Sequence, residues 1–75
     1  MKIVYDPTHD ILQISLREGT IEETTQISPG VIFDYDKDDN VIGIELRKAS
    51  QRLDNPYSLS YVVGEVNTNK PQPKR

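Results

Sequence analysis

Asp34, Asp36, Asp38 and Glu45 occupy positions 1, 3, 5 and 12 of the stretch Asp34-Tyr35-Asp36-Lys37-Asp38-Asp39-Asn40-Val41-Ile42-Gly43-Ile44-Glu45. That is the ligand spacing of a calcium loop, which needs hard oxygen donors wrapped around a sharp turn. The glycine such a loop requires at position 6 is Asp39 here, and the flanks Val31-Ile32-Phe33 and Ile42-Gly43-Ile44 are strand-like where helices are needed. The stretch therefore reads first as an acidic, solvated hairpin tip. A narrower divalent-cation alternative remains. A hairpin turning at Asp38-Asp39 puts Asp34, Asp36 and Glu45 on one polar face with Gly43 opposite Asp34, and the missing side chain leaves room for a ligand or a backbone to approach.

Other chemistry-bearing residues point less far. His9 lies in Asp6-Pro7-Thr8-His9-Asp10, where Asp6 suits an Asx-turn and Pro7 presets a dihedral. A serine triad would need His9 beside Ser15, Ser28, Ser50, Ser58 or Ser60, none of which carries nucleophile-elbow glycines. So small a chain has little volume for a cleft, and no enzyme activity is expected. Arg47, Lys48 and Arg52 form a basic cluster that reads as a solvated face, or, with Lys70, Lys74 and Arg75, as a contact for an acidic partner. Tyr57 and Tyr61 could stack on bases. The net charge of −3, however, argues against nucleic acid and anionic membrane alike.

The chain that must position these residues is short. Its 75 residues make one domain with a thin core. Eight Ile, five Leu, six Val and one Phe bring the strongly apolar share to 20 of 75, above the roughly 20% level below which disorder is the default. The absence of cysteine excludes disulfides and thiolate sites, and a single histidine excludes a histidine metal cage within one chain. No apolar stretch nears the roughly 20 residues of a membrane span, and Met1-Lys2-Ile3-Val4-Tyr5 does not read as a secretory signal, so the expected compartment is the cytoplasm.

Nineteen β-branched residues against one alanine favour strands. Turn signals recur at Asp6-Pro7, Glu18-Gly19, Pro29-Gly30, Asp38-Asp39-Asn40 and Asn55-Pro56, which predicts a five-stranded antiparallel meander. A loop at Thr8-His9 sets Ile3 opposite Ile14 and Tyr5 opposite Leu12. One at Glu18-Gly19 brings Leu16 to Ile21. The loop Ser28-Pro29-Gly30, with Gly30 left-handed, sets Ile27 against Val31 and Thr25 against Phe33. A two-residue loop at Asp38-Asp39 pairs Tyr35 with Ile42, Phe33 with Ile44 and Val31 with Leu46. All four turns agree on one apolar face, and the opposite face is mostly polar with an apolar strip of Val4, Ile11, Ile32 and Val41. Arg47 to Leu53 suits a short helix stopped by Asp54-Asn55-Pro56. Residues 57–66 fit either an added strand (Tyr57, Leu59, Tyr61, Val63) or a helix (Leu59, Val62, Val63, Val66). The domain is thus expected over 1–66, with 67–75 as a disordered tail.

Taken together, Tyr5-Asp6, Asp10-Ile11-Leu12, Pro29-Gly30-Val31-Ile32-Phe33-Asp34-Tyr35-Asp36, Val41-Ile42-Gly43-Ile44-Glu45 and Ala49-Ser50 resemble a bacterial family filed as a domain of unknown function (number 2283), over residues 1 to 53. A glycine usual in that family's central turn is Asp39 here, and aspartate tolerates the left-handed region. The resemblance implies a small β-rich bacterial domain and carries over no catalytic residue and no cofactor. Members sometimes lie near small toxin-like proteins, so an antitoxin-like role stands as an alternative. The main expectation is a non-enzymatic interaction module, a homodimer or larger, joined through its apolar sheet face or the Tyr57–Val63 segment.

Overall fold

The structure, a computed structural model, describes residues 1–65, so the expected tail 67–75 lies outside the described residues. Five strands, β1 (Lys2–Asp6), β2 (Ile11–Ser15), β3 (Glu23–Ser28), β4 (Val31–Tyr35) and β5 (Val41–Arg47), form one antiparallel sheet, followed by a single helical turn, α1 (Ala49–Arg52). The expected β-rich class with a short C-terminal helix is what the chain adopts. The helix is shorter at its start than the sequence suggests, because β5 runs on to Arg47 and Lys48 then turns the chain in the left-handed region, φ 54°.

The strand order is β1-β2-β5-β4-β3. The meander holds for β3–β4–β5, and β1–β2 is a hairpin, but β2 and β3 are not neighbours. The predicted meeting of Leu16 with Ile21 across Glu18-Gly19 therefore does not occur. Residues 16–22 instead cross the end of the sheet past β5 and β4, and β2 to β5 become a Greek key. The crossover is pinned at four points. Leu16 N donates to Ile42 O (2.8 Å), Glu22 N donates to Tyr35 O (2.8 Å), Arg17 Nη2 meets Asp36 Oδ2 (3.2 Å), and a Cβ at Gly19 would lie 3.4 Å from Ile42 Cδ1. Placing β5 in the middle lets Ile44 and Leu46 face apolar partners on both sides. A β2–β3 hairpin closed at Glu18-Gly19 would have left Leu12 opposite Thr25 and Ile14 opposite Glu23.

Most of the expected register is present. Ile3 faces Ile14 and Tyr5 faces Leu12. Phe33 faces Ile44, Val31 faces Leu46, and Thr25 faces Phe33. Two pairs are shifted by bulges. Tyr35 faces Val41 rather than Ile42, because the β4–β5 tip closes through three residues with one in the left-handed region, Asp39 at φ 64°. A two-residue type I′ turn would need two such residues. Val31 faces Ser28 rather than Ile27, since Pro29 and Gly30 (φ 76°) make the turn by themselves and leave Ile27 as the extra residue.

Opposed residues share a face, so Ile3, Tyr5, Leu12, Ile14, Ile44, Leu46, Val31 and Phe33 lie on one side of the sheet. Only part of that side is covered. Among the described residues the buried apolar side chains are Leu12 on that side, Ile32 on the opposite face, Ile42 at the β4–β5 bulge and Ala49 of α1, and no large side chain is completely enclosed. Residues 57–65 form neither the strand nor the helix that the sequence allowed. The segment has no strand beside it to accept a ladder, and Gly64 with its β-branched neighbours is a poor helix.

Candidate functional site

The clearest arrangement of polar groups is at the end of the sheet where the β1–β2 turn meets α1. Asp10 is held at φ 57°. Its Oδ1 accepts from Tyr5 Oη (2.7 Å) and Ser50 N (2.9 Å), its Oδ2 from Ser50 Oγ (2.6 Å), and its carbonyl from Ala49 N (3.0 Å). One residue of the first hairpin thereby satisfies the free N–H groups that open α1, a capping task that Lys48 at the N-cap does not perform. Ala49, with no exposed surface, is fixed beneath it. The Ser50 hydroxyl and then the Tyr5 hydroxyl hold the Asp10 carboxyl below its ordinary pKa, and the same Asp10 bond pushes the Tyr5 phenol up to about 12. On the other side of this end, Arg52 donates from Nε to Arg47 O (2.7 Å) and from Nη2 to Pro29 O (2.6 Å). The basic cluster is thus partly structural. Arg52 ties α1 to the β3–β4 turn, and Arg47 meets Glu45 at 2.9 Å.

The acidic residues singled out in the sequence do not converge. Among the described residues no group of three or more His, Cys, Asp or Glu side chains could hold a metal ion. Asp36 Oδ1 accepts from the backbone N–H groups of Asp38 and Asn40, both at 2.9 Å, and its Oδ2 faces Asn40 Nδ2 and Arg17. Those bonds, the Asn40 N–H foremost, hold its carboxyl down to about 2 and close the hairpin tip. Glu45 pairs with Arg47 and accepts from Gln13. Asp34 accepts from Thr24 Oγ1 (2.8 Å), and its carboxylate fills the space that Gly43 leaves, since a Cβ there would stand 2.7 Å from Asp34 Oδ2. The room expected opposite Asp34 is therefore occupied by Asp34 itself.

His9 behaves as turn chemistry. Asp6 Oδ1 accepts from Thr8 N (3.0 Å) and His9 N (3.4 Å), and His9 Nδ1 lies 2.8 Å from Asp6 Oδ2, a contact that lowers the Asp6 pKa. Ser50 is the serine that joins a polar network, and its hydroxyl donates to a carboxylate rather than to an imidazole. The sequence reading missed this Tyr5–Asp10–Ser50 network. No local signal marks it, since Asp10 and Ser50 lie 40 residues apart in the chain.

What remains without a partner is apolar. Leu53 and Tyr57 lie over the β1–β2 side, where Tyr57 packs edge-on against Tyr5 at 5.2 Å between ring centres. With Ile3, Leu12 and Pro56 they border an open hollow of about 420 Å³. Val31, Phe33, Ile44 and Leu46 on the β5–β4 side stay part-exposed. Beyond Pro56 the chain carries Tyr57, Leu59, Tyr61, Val62 and Val63 at 62 to 80% exposure.

The molecule is a single-layer antiparallel sheet, tied to α1 at one end, with an apolar face that is only partly covered. The chain belongs to the family described as Protein of unknown function (DUF2283), whose pattern matches residues 2–50. That span runs from the start of β1 to Ser50, so it includes the Tyr5–Asp10–Ser50 network and Ala49 but stops short of Arg52. No curated protein and no solved structure matches the chain.

Proposed function

We propose that this protein is a non-enzymatic interaction module of the bacterial cytoplasm that self-associates through the apolar face of its sheet. The observation that carries this reading is the thinly covered face. Leu12 alone of its residues is buried, at 4% exposure, whereas Ile3, Tyr5, Ile14, Val31, Phe33, Ile44 and Leu46 are only partly buried. A sheet needs a second layer on its apolar side, and α1 with Leu53 and Tyr57 is too small to supply one. The face carries no charge over β1, β2, β5 and the body of β4, so a second copy of the same surface suits it better than a charged partner.

The carboxylates of Asp6, Asp10, Asp34, Asp36 and Glu45 and the Ser50 hydroxyl are engaged in contacts within the fold, which favours a binding role over a catalytic one. No helix among the described residues is long and apolar enough to cross a membrane. Sedimentation of the full chain at micromolar concentration tests the proposal. A dimer or larger species is expected, and a compact, stable monomer would contradict it. Recovery of a stable pair with a second small protein in place of the homodimer would favour the antitoxin-like alternative.

A further inference from the structure

We infer that the cover on the bare half of the face is residues 57–63 of a second copy, exchanged reciprocally about a two-fold axis, so that each chain lends its C-terminal strap to its partner. The inference rests on the self-association proposed above and names the part of the partner that makes the contact.

Area is the first argument. Five strands about 4.8 Å apart, each about five residues long at about 3.3 Å per residue, give a face of roughly 24 by 17 Å, or roughly 400 Å². Leu53 and Tyr57 already cover part of it. A stable interface buries about 800 Å² on each partner, so two bare sheet faces meeting alone fall short by about half. The exposed side chains that can make up the difference are those of the strap, Tyr57, Leu59, Tyr61, Val62 and Val63.

Pattern and placement are the second. Tyr57, Leu59, Tyr61 and Val63 alternate with Ser58, Ser60, Val62 and Gly64, so an extended strap presents one large apolar row. Its start is fixed. Asn55 Oδ1 accepts from Tyr57 N (3.0 Å), Asn55 O accepts from Ser58 N (3.1 Å), and the Tyr57 ring rests on Tyr5 of β1, an outer strand of the sheet. From there Ser58, Leu59 and Ser60 border the hollow beside Ile3 and Leu12, and Leu59, Tyr61, Val62 and Val63 are 62 to 80% exposed in the single chain. The bare surface around Phe33 and Ile44 lies on the far side, on β4 and β5. Two copies related by a two-fold axis bring each strap to the other's bare half, and both unmet surfaces are satisfied at once.

The test uses the full chain and the triple substitution Leu59→Ser, Tyr61→Ser, Val63→Ser, with sedimentation for mass and circular dichroism for the fold. These side chains are exposed, so the sheet signal and thermal midpoint of the variant should match those of the unmodified protein at low concentration. Expected is a dimer for the unmodified chain and a loss of half the mass for the variant. A variant that stays dimeric with unchanged affinity would overturn strap exchange and leave self-association through the sheet face standing. An unmodified chain that is monomeric would overturn both.

Discussion

The two ends of the apolar face are held in different ways. Over β1 and β2 the chain uses directed bonds. Asp10 gathers Tyr5, Ala49 and Ser50 around the end of β2, where Leu12 is buried. Toward β4 and β5 the directed bonds are those of Arg52 to Pro29 and Arg47 at the strand ends, and Phe33, Ile44 and the strap stay exposed in part or in full. The difference separates two tasks. Under the proposed self-association, the clamped end should decide whether a single chain folds and the less covered end what it meets.

Substitutions should divide along that line. The largest effect on the fold is expected from Leu12→Ala, a truncation beneath the clamp that should cost about 2–5 kcal/mol in urea unfolding. Phe33→Ser should cost the monomer less and weaken association instead, by about 2 kcal/mol or more, which is roughly thirtyfold in dissociation constant. If the two residues exchanged these effects, the division would fail. Gly30→Ala comes next. Its φ of 76° disfavours any side chain, by about 1–2 kcal/mol, and the new Cβ would stand 2.5 Å from Arg52 Nη2 and dislodge it. Association should be unaffected apart from the stability lost.

Titration sharpens the same comparison. Asp10 and Asp36 have carboxyl pKa values lowered on folding, so the stability they contribute is present above the ordinary carboxylate range and is lost as pH falls toward the folded values, about 2 for Asp36. Asp36→Asn should therefore flatten the acid limb of a melting profile and leave the midpoint dependence near neutral pH alone. Tyr5 shifts the other way. Its contribution is complete below the ordinary tyrosine pKa and disappears as pH rises toward about 12. Ultraviolet titration should show one of the four tyrosines ionising late, and Asp10→Asn should bring it back among the others. The smallest effect should come from salt. An apolar face has little charge to screen, so a several-fold rise in ionic strength should leave the dissociation constant unchanged within error, whereas a charge-led partner would be released.

Local pattern revealed much of this molecule, and long-range order did not. Alternation and turn residues placed the five strands and the Ile3–Ile14 and Tyr5–Leu12 pairs, which are set by the turn next to them, and Phe33–Ile44 also holds because the bulge at Ile42 offsets the longer β4–β5 turn. The position of β5 between β2 and β4 was not legible. Glu18-Gly19 looks like any tight turn, and only the gain of setting Ile44 and Leu46 between two apolar strands favours the crossover. The bulges at Ile27 and Ile42 follow from how many residues accept a positive φ, which the sequence only partly constrains. Of the residues with chemical interest, His9 and Asp36 appeared in the structure as the turn-formers their neighbours suggested. The Asp10–Ser50 bond joins residues 40 apart in the chain, and no local signal marks it.

The most direct test of the account is an isotope-filtered NMR measurement on a sample mixed from labelled and unlabelled chains. Contacts between chains are predicted from the Phe33 ring and the Ile44 methyl groups to the other copy. If those groups show contacts only within their own chain, or to solvent, the apolar face is not where this protein meets its partner.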